Sequence, residues 1–290
     1  MARPGRCAGC GTGPLPQPGA APRRSLPEST RHGRGEGLAV SATVIDARAG
    51  LRPAEPAVAR ADLVALQERA FGRDAQGILE MALCGDFQGR TAVVSSFGAE
   101  SAVLLHLVAR IDAATPVFFL NTGKLFGETL RYRDRLQDVL GLEDIRSLAP
   151  GANARAALDP DGTLWSRDTD ACCGFRKVAP LARALKPFAA QVTGRKRFQT
   201  RERGSMQPVE WFDGRFRFNP LWQWSQSDLA AYAAAHKLPV HPLVADGYPS
   251  IGCQPCTRRV AAGEDYRAGR WAGLDKDECG IHVGTDGDGI

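Results

Sequence analysis

Short apolar runs alternate with stretches of helical spacing through the central part of the chain. Pro116–Leu120 is continuously apolar, which is typical of a strand buried on both faces of a parallel sheet. Thr91–Ser96, Asp144–Leu148 and Ala189–Thr193 have the length and the flanking turn residues of further strands. We therefore predict at least four strands in this part of the chain.

Apolar residues recur every three or four positions between these predicted strands. Asp62–Leu83 and Ser101–Arg110 show this spacing, and another helix is predicted between Asn121–Gly123 and about Leu140. We predict a helix at Gly174–Leu185 as well. The alternation predicts an α/β fold with a doubly wound, mainly parallel sheet, in which ligands bind at the carboxyl ends of the strands.

The loop after the first predicted strand, Ser95–Ser101, combines hydroxyl groups with a glycine at the start of a helix. Backbone N–H groups at a helix N-terminus favour anions, so this loop is a candidate phosphate site. It lacks the Gly-Lys-Ser/Thr ending of a Walker A loop, which excludes that type of ATP site here.

The composition is that of an ordinary globular protein, with 43% hydrophobic and 24% charged residues. No apolar run approaches the roughly 18 residues that a membrane span needs, and we expect a cytoplasmic protein without membrane contact. The Pro/Gly/Arg-rich stretch 1–40 is predicted to be a disordered tail. A core domain at 41–260 and a C-terminal segment at 261–290 are predicted to follow it.

Most of the net charge of +5 belongs to the N-terminal tail. Six arginines stand against two glutamates in residues 1–37, which accounts for +4 and leaves +1 for the rest. The high isoelectric point therefore does not indicate a basic folded surface, and we expect no nucleic-acid partner.

Four cysteines form two close pairs, Cys172 with Cys173 and Cys253 with Cys256, whereas Cys279 stands alone near the C-terminus. Four thiolates suit a 4Fe-4S cluster, which takes one thiolate per iron. Structural zinc is the alternative, although zinc sites usually space both ligand pairs by two to four residues. In a reducing cytoplasm we do not expect these cysteines to form disulfides.

Five segments occur in the order found in one enzyme family. They are Ser95–Ser101, Phe119–Phe126, Cys172–Lys177, Cys253–Arg258 and Glu278–His282. From about residue 60 to residue 283 the chain resembles the thioredoxin-dependent adenylyl-sulfate and phosphoadenylyl-sulfate reductases. Its two cysteine pairs are similar to those of the cluster-bearing branch, whose members mostly reduce adenosine 5'-phosphosulfate. The resemblance implies an adenine nucleotide alpha hydrolase-like fold with a flexible C-terminal catalytic tail.

The resemblance also implies a role for individual residues. Cys172, Cys173, Cys253 and Cys256 would be the ligands of a 4Fe-4S cluster, and Cys279 would be the nucleophile. The implied substrate-binding residues are Ser95, Ser96, Gly98, Leu120, Thr122, Lys177, Gly194, Arg203, Arg267, Arg270 and His282.

The implied reaction belongs to assimilatory sulfate reduction and cysteine biosynthesis. Cys279 would attack the sulfur of adenosine 5'-phosphosulfate, release AMP and carry an S-sulfocysteine. Reduced thioredoxin, or a glutaredoxin-like donor, would then release sulfite. Arginines suit the phosphosulfate because each planar guanidinium can bond two oxygens at once.

Other interpretations stay open at the level of the sequence. Arg267 and Arg270, three residues apart, also fit one solvated helix face, and a lone terminal cysteine is usually an exposed thiol. The alternative substrate is 3'-phosphoadenosine 5'-phosphosulfate, alone or as one of two substrates. The oligomeric state stays open, a homo-oligomer included.

Two rival functions are weaker. A tRNA-thiolating enzyme of the same fold would keep a Ser-Gly-Gly-x-Asp-Ser loop, where this chain has Ser-Phe-Gly-Ala-Glu-Ser. An iron–sulfur sensor would bind nucleic acid through the basic stretch 195–203, with an affinity that falls steeply with salt.

Overall fold

The computed structural model describes residues 56–274, 276 and 278–282, so the predicted tail at 1–40 lies outside the described residues. The strands are β1 Thr91–Ser95, β2 Val117–Leu120, β3 Ile145–Leu148, β4 Ala190–Thr193, β5 Val209–Phe212 and β6 Arg215–Phe218. The α-helices are α1 Pro56–Ala70, α2 Ala75–Leu83, α3 Ser101–Asp112, α4 Gly127–Leu140, α5 Ala152–Leu158, α6 Leu164–Arg167, α7 Thr169–Cys173, α8 Ala179–Leu185 and α9 Gln226–Ala235.

In the described part of the chain, the strands form one six-stranded sheet in the order β3-β2-β1-β4-β6-β5. The neighbours β3, β2, β1, β4 and β6 pair in parallel, and only β5 runs antiparallel to its neighbour β6. Chain order reverses direction across β1 and β4, since β2 and β3 lie on one side of β1 and the later strands lie on the other. The predicted doubly wound, mainly parallel sheet is confirmed.

The core lies on both faces of the central strands. Every residue of β1, β2 and β4 is buried, and Val93 pairs with Val117 on one side and with Val192 on the other. Helices α2 and α3 contribute the apolar side chains that cover one face, including Leu79 and Leu105. This packing explains why the short runs of β1, β2 and β4 could be predicted as strands, whereas β3 is a partly exposed strand at the edge of the sheet.

The predicted helix at Asp62–Leu83 is two helices. Gly72 adopts φ +74°, a left-handed conformation that ends α1, and the side chain of Asp74 accepts a hydrogen bond from the N–H of Gly77 to begin α2. The prediction missed this break because the apolar spacing continues across it.

The hairpin of β5 and β6 was not predicted from the sequence. Asp213 and Gly214 form its two-residue turn with φ of 49° and 72°, and Asp-Gly is a common sequence for such turns. The strands carry charged residues at Glu210 and Arg217, which pair across the hairpin and obscure its apolar pattern. None of the described helices is long and apolar enough to cross a membrane.

Candidate functional site

A cavity opens where the central strands end. Ser95 is the last residue of β1, Thr122 follows β2 and Gly194 follows β4, and all three line the cavity. The reversal of chain order lies between β1 and β4, which is the position where open α/β sheets bind ligands. The sheet therefore supplies the floor of this cavity, which we call the main cavity.

The loop between β1 and α3 is held tightly beneath the main cavity. The buried Phe97 adopts φ 50°, packs edge-on against Phe119 with ring centroids 5.2 Å apart, and donates its backbone N–H to Ser95 Oγ at 3.2 Å. A Cβ on Gly98 would lie 3.4 Å from the carbonyl oxygen of Ile251, so the loop and the later chain approach closely. Ser101, the first residue of α3, also lines the cavity, as expected for an anion site at a helix N-terminus.

Cationic side chains line one side of the main cavity. Among the described lining residues, six lysines and arginines stand against the two carboxylates Glu100 and Glu278. The six are Lys177, Arg195, Lys196, Arg203, Arg267 and Arg270. This excess of positive charge favours a ligand with more than one negative charge. We call these six side chains, with His282, the cationic wall.

Three acid–base pairs fix parts of the cationic wall. Lys196 Nζ lies 2.5 Å from Glu100 Oε2, and Arg203 Nη2 lies 2.5 Å from Glu278 Oε1. Arg195 pairs with Glu210 of the hairpin. Arg195, Lys196 and Arg203 are all buried, whereas Arg201 of the same basic stretch is exposed. Three of the cationic groups in the stretch 195–203 therefore face the interior of the protein rather than solvent.

Burial perturbs several groups of the cationic wall. It lowers the pKa of Arg270, and it lowers the pKa of His282 well below its usual value, with the nearby charges of Arg203 and other arginines adding to the effect. Burial alone would lower the pKa of Lys177 too, but the negative charge of Cys279, Cys253 and Cys173 in their thiolate forms outweighs burial, and the pKa is raised. His282 is therefore neutral at pH 7, whereas Lys177 is charged.

Arg267 and Arg270 do not lie on a helix. They belong to a turn that brings Arg270 into an isolated β-bridge with Thr257, so the solvated helix face considered above is wrong. The Arg270 guanidinium stacks 4.4 Å from the centroid of the Trp271 ring, and a Cβ on Gly252 would come within 2.5 Å of its Cζ. Glycine at position 252 thus leaves the space that the guanidinium fills.

Cys279 is buried at the edge of the main cavity. Its side chain is 9% exposed and packs in a small apolar cluster with Cys173 and Trp271. Gly280 follows with φ +82°, and Ile281 and His282 then line the cavity beside Cys279. The alternative of a solvent-exposed terminal thiol is therefore wrong for the described conformation.

The four paired cysteines surround a second, smaller cavity. Cys172, Cys173, Cys253 and Cys256 line it together with Thr122, Arg176 and Lys177, among others. Thr122 Oγ1 lies 3.2 Å from Cys253 Sγ, and Lys177 also lines the main cavity. The second cavity is therefore adjacent to the main one, with Thr122, Lys177 and Cys253 shared between them.

The first cysteine pair ends helix α7, and a π-helical turn, Gly174–Val178, follows it directly. The predicted helix at Gly174–Leu185 thus consists of this turn and α8. Within the turn, Arg176 donates to the carbonyl oxygen of Thr122 at 2.6 Å and pairs with Asp159 at 2.5 Å, both side chains being buried. These bonds fix the π-helical turn against the end of β2, where π-turns often mark functional sites.

The donor atoms of the cysteine cavity determine which metal group it suits. Its donors are four thiols without a disulfide, which is the ligand set of a 4Fe-4S cluster. Burial raises the pKa of Cys173 to about 11, so without a metal its thiol is protonated. Among the described residues, no group of three or more Cys, His, Asp or Glu side chains is arranged to hold a single metal ion. The donor chemistry fits a cluster, and the cluster itself stays a prediction.

All of the substrate-binding residues predicted from the sequence line the main cavity, as does Cys279. They are Ser95, Ser96, Gly98, Leu120, Thr122, Lys177, Gly194, Arg203, Arg267, Arg270 and His282. The sequence prediction missed Glu100, Arg195, Lys196 and Glu278, which line the same cavity. The basic run after Gly194 was the available signal for two of them.

Comparison with known proteins agrees with this geometry. Residues 90–259 match the family described as phosphoadenosine phosphosulfate reductase domain. A protein of Mesorhizobium japonicum named adenosine 5'-phosphosulfate reductase is 55% identical over 197 residues, which cover 68% of this chain and 78% of the relative. A Chelativorans protein of the same name is 49% identical over 231 residues, covering 79% of this chain and 94% of the relative.

Two further similar proteins are named for reduction of the 3'-phosphorylated nucleotide. A Gloeobacter violaceus protein named phosphoadenosine 5'-phosphosulfate reductase is 40% identical over 204 residues, covering 68% of this chain and 84% of the relative. The crystal structure of a phosphoadenylyl-sulfate reductase from Candida auris shares the fold, with a TM-score of 0.59 and 23% identity over 68% of this chain and 96% of that one. By the extent of the domain match and the identity of these relatives, the chain belongs to the phosphoadenosine phosphosulfate reductase family.

Proposed function

We propose that this chain reduces adenosine 5'-phosphosulfate to sulfite and AMP, with Cys279 as the nucleophile. One observation carries the proposal: Cys279 lines the same cavity as the strand ends and the cationic wall. A thiol therefore lies in one cavity with the groups that would bind a nucleotide and its anions. Relatives at 55% and 49% identity are named for this reaction.

The cationic wall has two tasks in the proposed reaction. Arg267 and Arg270 hold the phosphosulfate through charge-assisted hydrogen bonds, and they stabilise the charge that develops on the departing AMP phosphate. Lys177 is charged and borders both cavities, so it adds positive charge near Cys279. This positive charge reduces the repulsion between the attacking thiolate and the anionic substrate.

The proposed reaction proceeds in two exchanges at sulfur. The Cys279 thiolate attacks the substrate sulfur, forms an S–S bond and breaks the bond from sulfur to the bridging oxygen, which leaves with AMP. A thiolate of reduced thioredoxin then attacks Cys279 Sγ and expels sulfite, and the second thioredoxin thiol resolves the mixed disulfide. Thioredoxin is oxidised to a disulfide, Cys279 is regenerated as a thiol, and the sulfur is reduced to sulfite.

We further propose that Cys172, Cys173, Cys253 and Cys256 hold a 4Fe-4S cluster. Their position around one cavity and the ligand chemistry of four thiols support this. A bound cluster would supply negative charge next to Lys177, tuning the field at the phosphosulfate. Arg176 of the π-helical turn bonds to the carbonyl oxygen of Thr122 and pairs with Asp159, and Thr122 Oγ1 in turn contacts Cys253 Sγ. These contacts would fix Cys172 and Cys173, which precede the turn, relative to Cys253.

The proposed cluster is tested by metal analysis of protein purified without oxygen. We expect about four iron and four acid-labile sulfide per chain for a single 4Fe-4S cluster. Cys256→Ala should lose iron, whereas the matched variant Cys279→Ser should keep it. Stoichiometric zinc without sulfide would contradict the proposal.

The activity is tested by sulfite release from adenosine 5'-phosphosulfate with reduced thioredoxin. A parallel assay with 3'-phosphoadenosine 5'-phosphosulfate tests the second candidate substrate, for which the Gloeobacter violaceus relative is named. We expect faster turnover of the nucleotide without the 3'-phosphate. Sulfite from neither nucleotide would contradict the proposed function, and preference for the 3'-phosphorylated one would replace the substrate.

A further inference from the structure

Glu278 places a carboxylate in the cationic wall, one residue before Cys279. Its Oε1 lies 2.5 Å from Arg203 Nη2, and the two side chains are only 15% and 9% exposed, respectively. A charge pair this far from solvent is stronger than an exposed surface pair. Arg203 therefore has an anionic partner within the protein itself.

The second carboxylate among the described lining residues serves a different cation. Glu100 Oε2 accepts hydrogen bonds from Lys196 Nζ at 2.5 Å and from Gln199 Nε2 at 3.0 Å, so it is already engaged at the floor of the cavity. Glu278 is then the lining carboxylate that meets Arg203. The charges of Arg267 and Arg195 act on Arg203 as well, and they strengthen the attraction of this site for an anion.

We propose that Glu278 occupies part of the site for the terminal anionic group of the substrate, and that Arg203 exchanges Glu278 for that group when the nucleotide binds. The proposal rests on the proposed function, because the terminal group must lie next to the attacking Cys279. A carboxylate and a sulfonate or phosphate accept the same bonds from a guanidinium, so both cannot use the same donors of Arg203 fully.

The exchange also has a consequence for the segment that carries Cys279. A second ion pair, between Lys276 and Asp170, ties this segment to helix α7. When the nucleotide displaces Glu278, the Lys276 tie remains and keeps Cys279 near the cavity. Glu278 thus opposes binding of the terminal anion, whereas Lys276 acts only on the position of the segment.

Titration calorimetry with three unreactive probes tests the exchange in oxygen-free full-length protein. Adenosine lacks an anion, AMP has one phosphate, and the second phosphate of ADP takes the place of the sulfonate. In Glu278→Gln we expect unchanged affinity for adenosine, little change for AMP, and roughly three- to tenfold tighter binding of ADP, because no carboxylate has to be displaced.

Two control variants separate the exchange from simpler effects. Lys276→Gln breaks the other tie of the same segment, and Glu264→Gln removes one negative charge from an exposed pair with Arg258. Neither side chain lines the main cavity, so both variants should bind ADP as the unchanged protein does. Circular dichroism of Glu278→Gln checks that the fold is retained.

The sign of the change in ADP affinity decides the proposal. Weaker ADP binding in Glu278→Gln would contradict the exchange, because it would mean that the pair of Glu278 with Arg203 stays intact and stabilises the bound nucleotide. Unchanged binding would mean that Arg203 does not hold the terminal group. Equal tightening in Glu264→Gln would assign the effect to net charge. Absence of sulfite release from adenosine 5'-phosphosulfate, with the ADP result as expected, would contradict the proposed function and leave the exchange standing.

Discussion

Different interactions stabilise the floor of the main cavity and the segment that covers it. The floor consists of the ends of β1, β2 and β4, whose residues are buried in a continuous apolar core. The cover, residues 249–282, contains no α-helix or strand longer than an isolated bridge among its described residues. It is held by the isolated β-bridge of Thr257 with Arg270, by the small apolar cluster of Trp271 and Cys279, and by ion pairs such as Arg203 with Glu278 at 2.5 Å.

The difference separates binding from chemistry. Close apolar packing holds the floor in one arrangement, which suits recognition of a nucleotide. Ion pairs can exchange partners at low cost, which suits a segment that has to admit substrate and later expose sulfur to a second protein. We expect changes in the floor to act mainly on stability and changes in the cover mainly on turnover.

The largest effect is expected from Cys279→Ser, which removes the thiolate and leaves the floor intact. A serine hydroxyl is almost wholly protonated at neutral pH, so sulfite release should fall by at least about a thousandfold. Nucleotide binding should persist, because the strand ends and the cationic wall are unchanged. A thioredoxin-coupled assay and AMP titration measure the two quantities, and turnover close to that of the unchanged protein would assign the nucleophile elsewhere.

A smaller effect on turnover is expected from Gly252→Ala, which alters the cover without removing a charge. The new methyl group would meet the guanidinium of Arg270, and the flexible head of that side chain has to move. One lost or weakened charge-assisted contact corresponds to about 1.5 to 3 kcal/mol in kcat/KM. Gly151→Ala, where a Cβ meets nothing within 4 Å, is the matched control and should be silent.

Gly252→Ala shifts the Arg270 guanidinium without removing its charge. The melting temperature of the variant shows whether this shift also affects the stability of the fold. The melting temperature should change little, because only a side-chain end has to shift. Unchanged kcat/KM would mean that Arg270 does not contact the substrate. A large drop in melting temperature would contradict the expectation that changes in the cover act mainly on turnover, because the cover would then contribute substantially to stability.

The smallest effect is a pH dependence of the folding stability, which arises from His241 packed against helix α4. His241 is fully buried, with Nε2 3.1 Å from Thr129 Oγ1 of α4 and Nδ1 accepting the N–H of Leu243, and burial lowers its pKa to about 4. The unfolded chain binds a proton near its usual pKa of about 6.5, whereas the folded chain stays neutral until about 4. Stability is therefore fully present above pH 6.5 and is lost as the pH falls toward 4, by up to about 3 kcal/mol.

Thermal unfolding at several pH values measures this dependence. In His241→Asn, whose side-chain oxygen can still accept the N–H of Leu243, the loss between pH 6.5 and 5 should be smaller than in the unchanged chain. The exposed His236 is the control position, and His236→Asn should keep the loss. Equal losses in all three proteins would show that another group dominates.

The sequence predicted the floor well because its signal is local. The four predicted strands coincide with β1 to β4 within a residue or two. The strands β1, β2 and β4 are short runs buried on both faces, whereas β3 is a partly exposed edge strand that its flanking turn residues indicated. The β5–β6 hairpin was not predicted, because charged residues such as Glu210 and Arg217 usually indicate exposed positions, whereas here they pair with each other within the fold. Burial of charged groups depends on partners that lie far apart along the chain, as with Arg195 and Glu210.

The cover could be predicted only in part. Its cysteines, Arg267, Arg270 and His282 were identified through the order of motifs, but no periodicity indicated its conformation. The inward direction of Lys196 and the pairing of Glu278 with Arg203 depend on contacts across about 75 residues or more. The structure was needed to show that the cover supplies its own anion to the site.

The central claim is that Cys279, apart from the four paired cysteines, carries the sulfur between two partners. Mass spectrometry of the protein mixed with adenosine 5'-phosphosulfate, without thioredoxin, tests it most directly. The account predicts one added SO3 group on the peptide that contains Cys279, which reduced thioredoxin removes as sulfite. An unmodified Cys279 with sulfite already released, or the SO3 group on any of the four paired cysteines, would contradict the account.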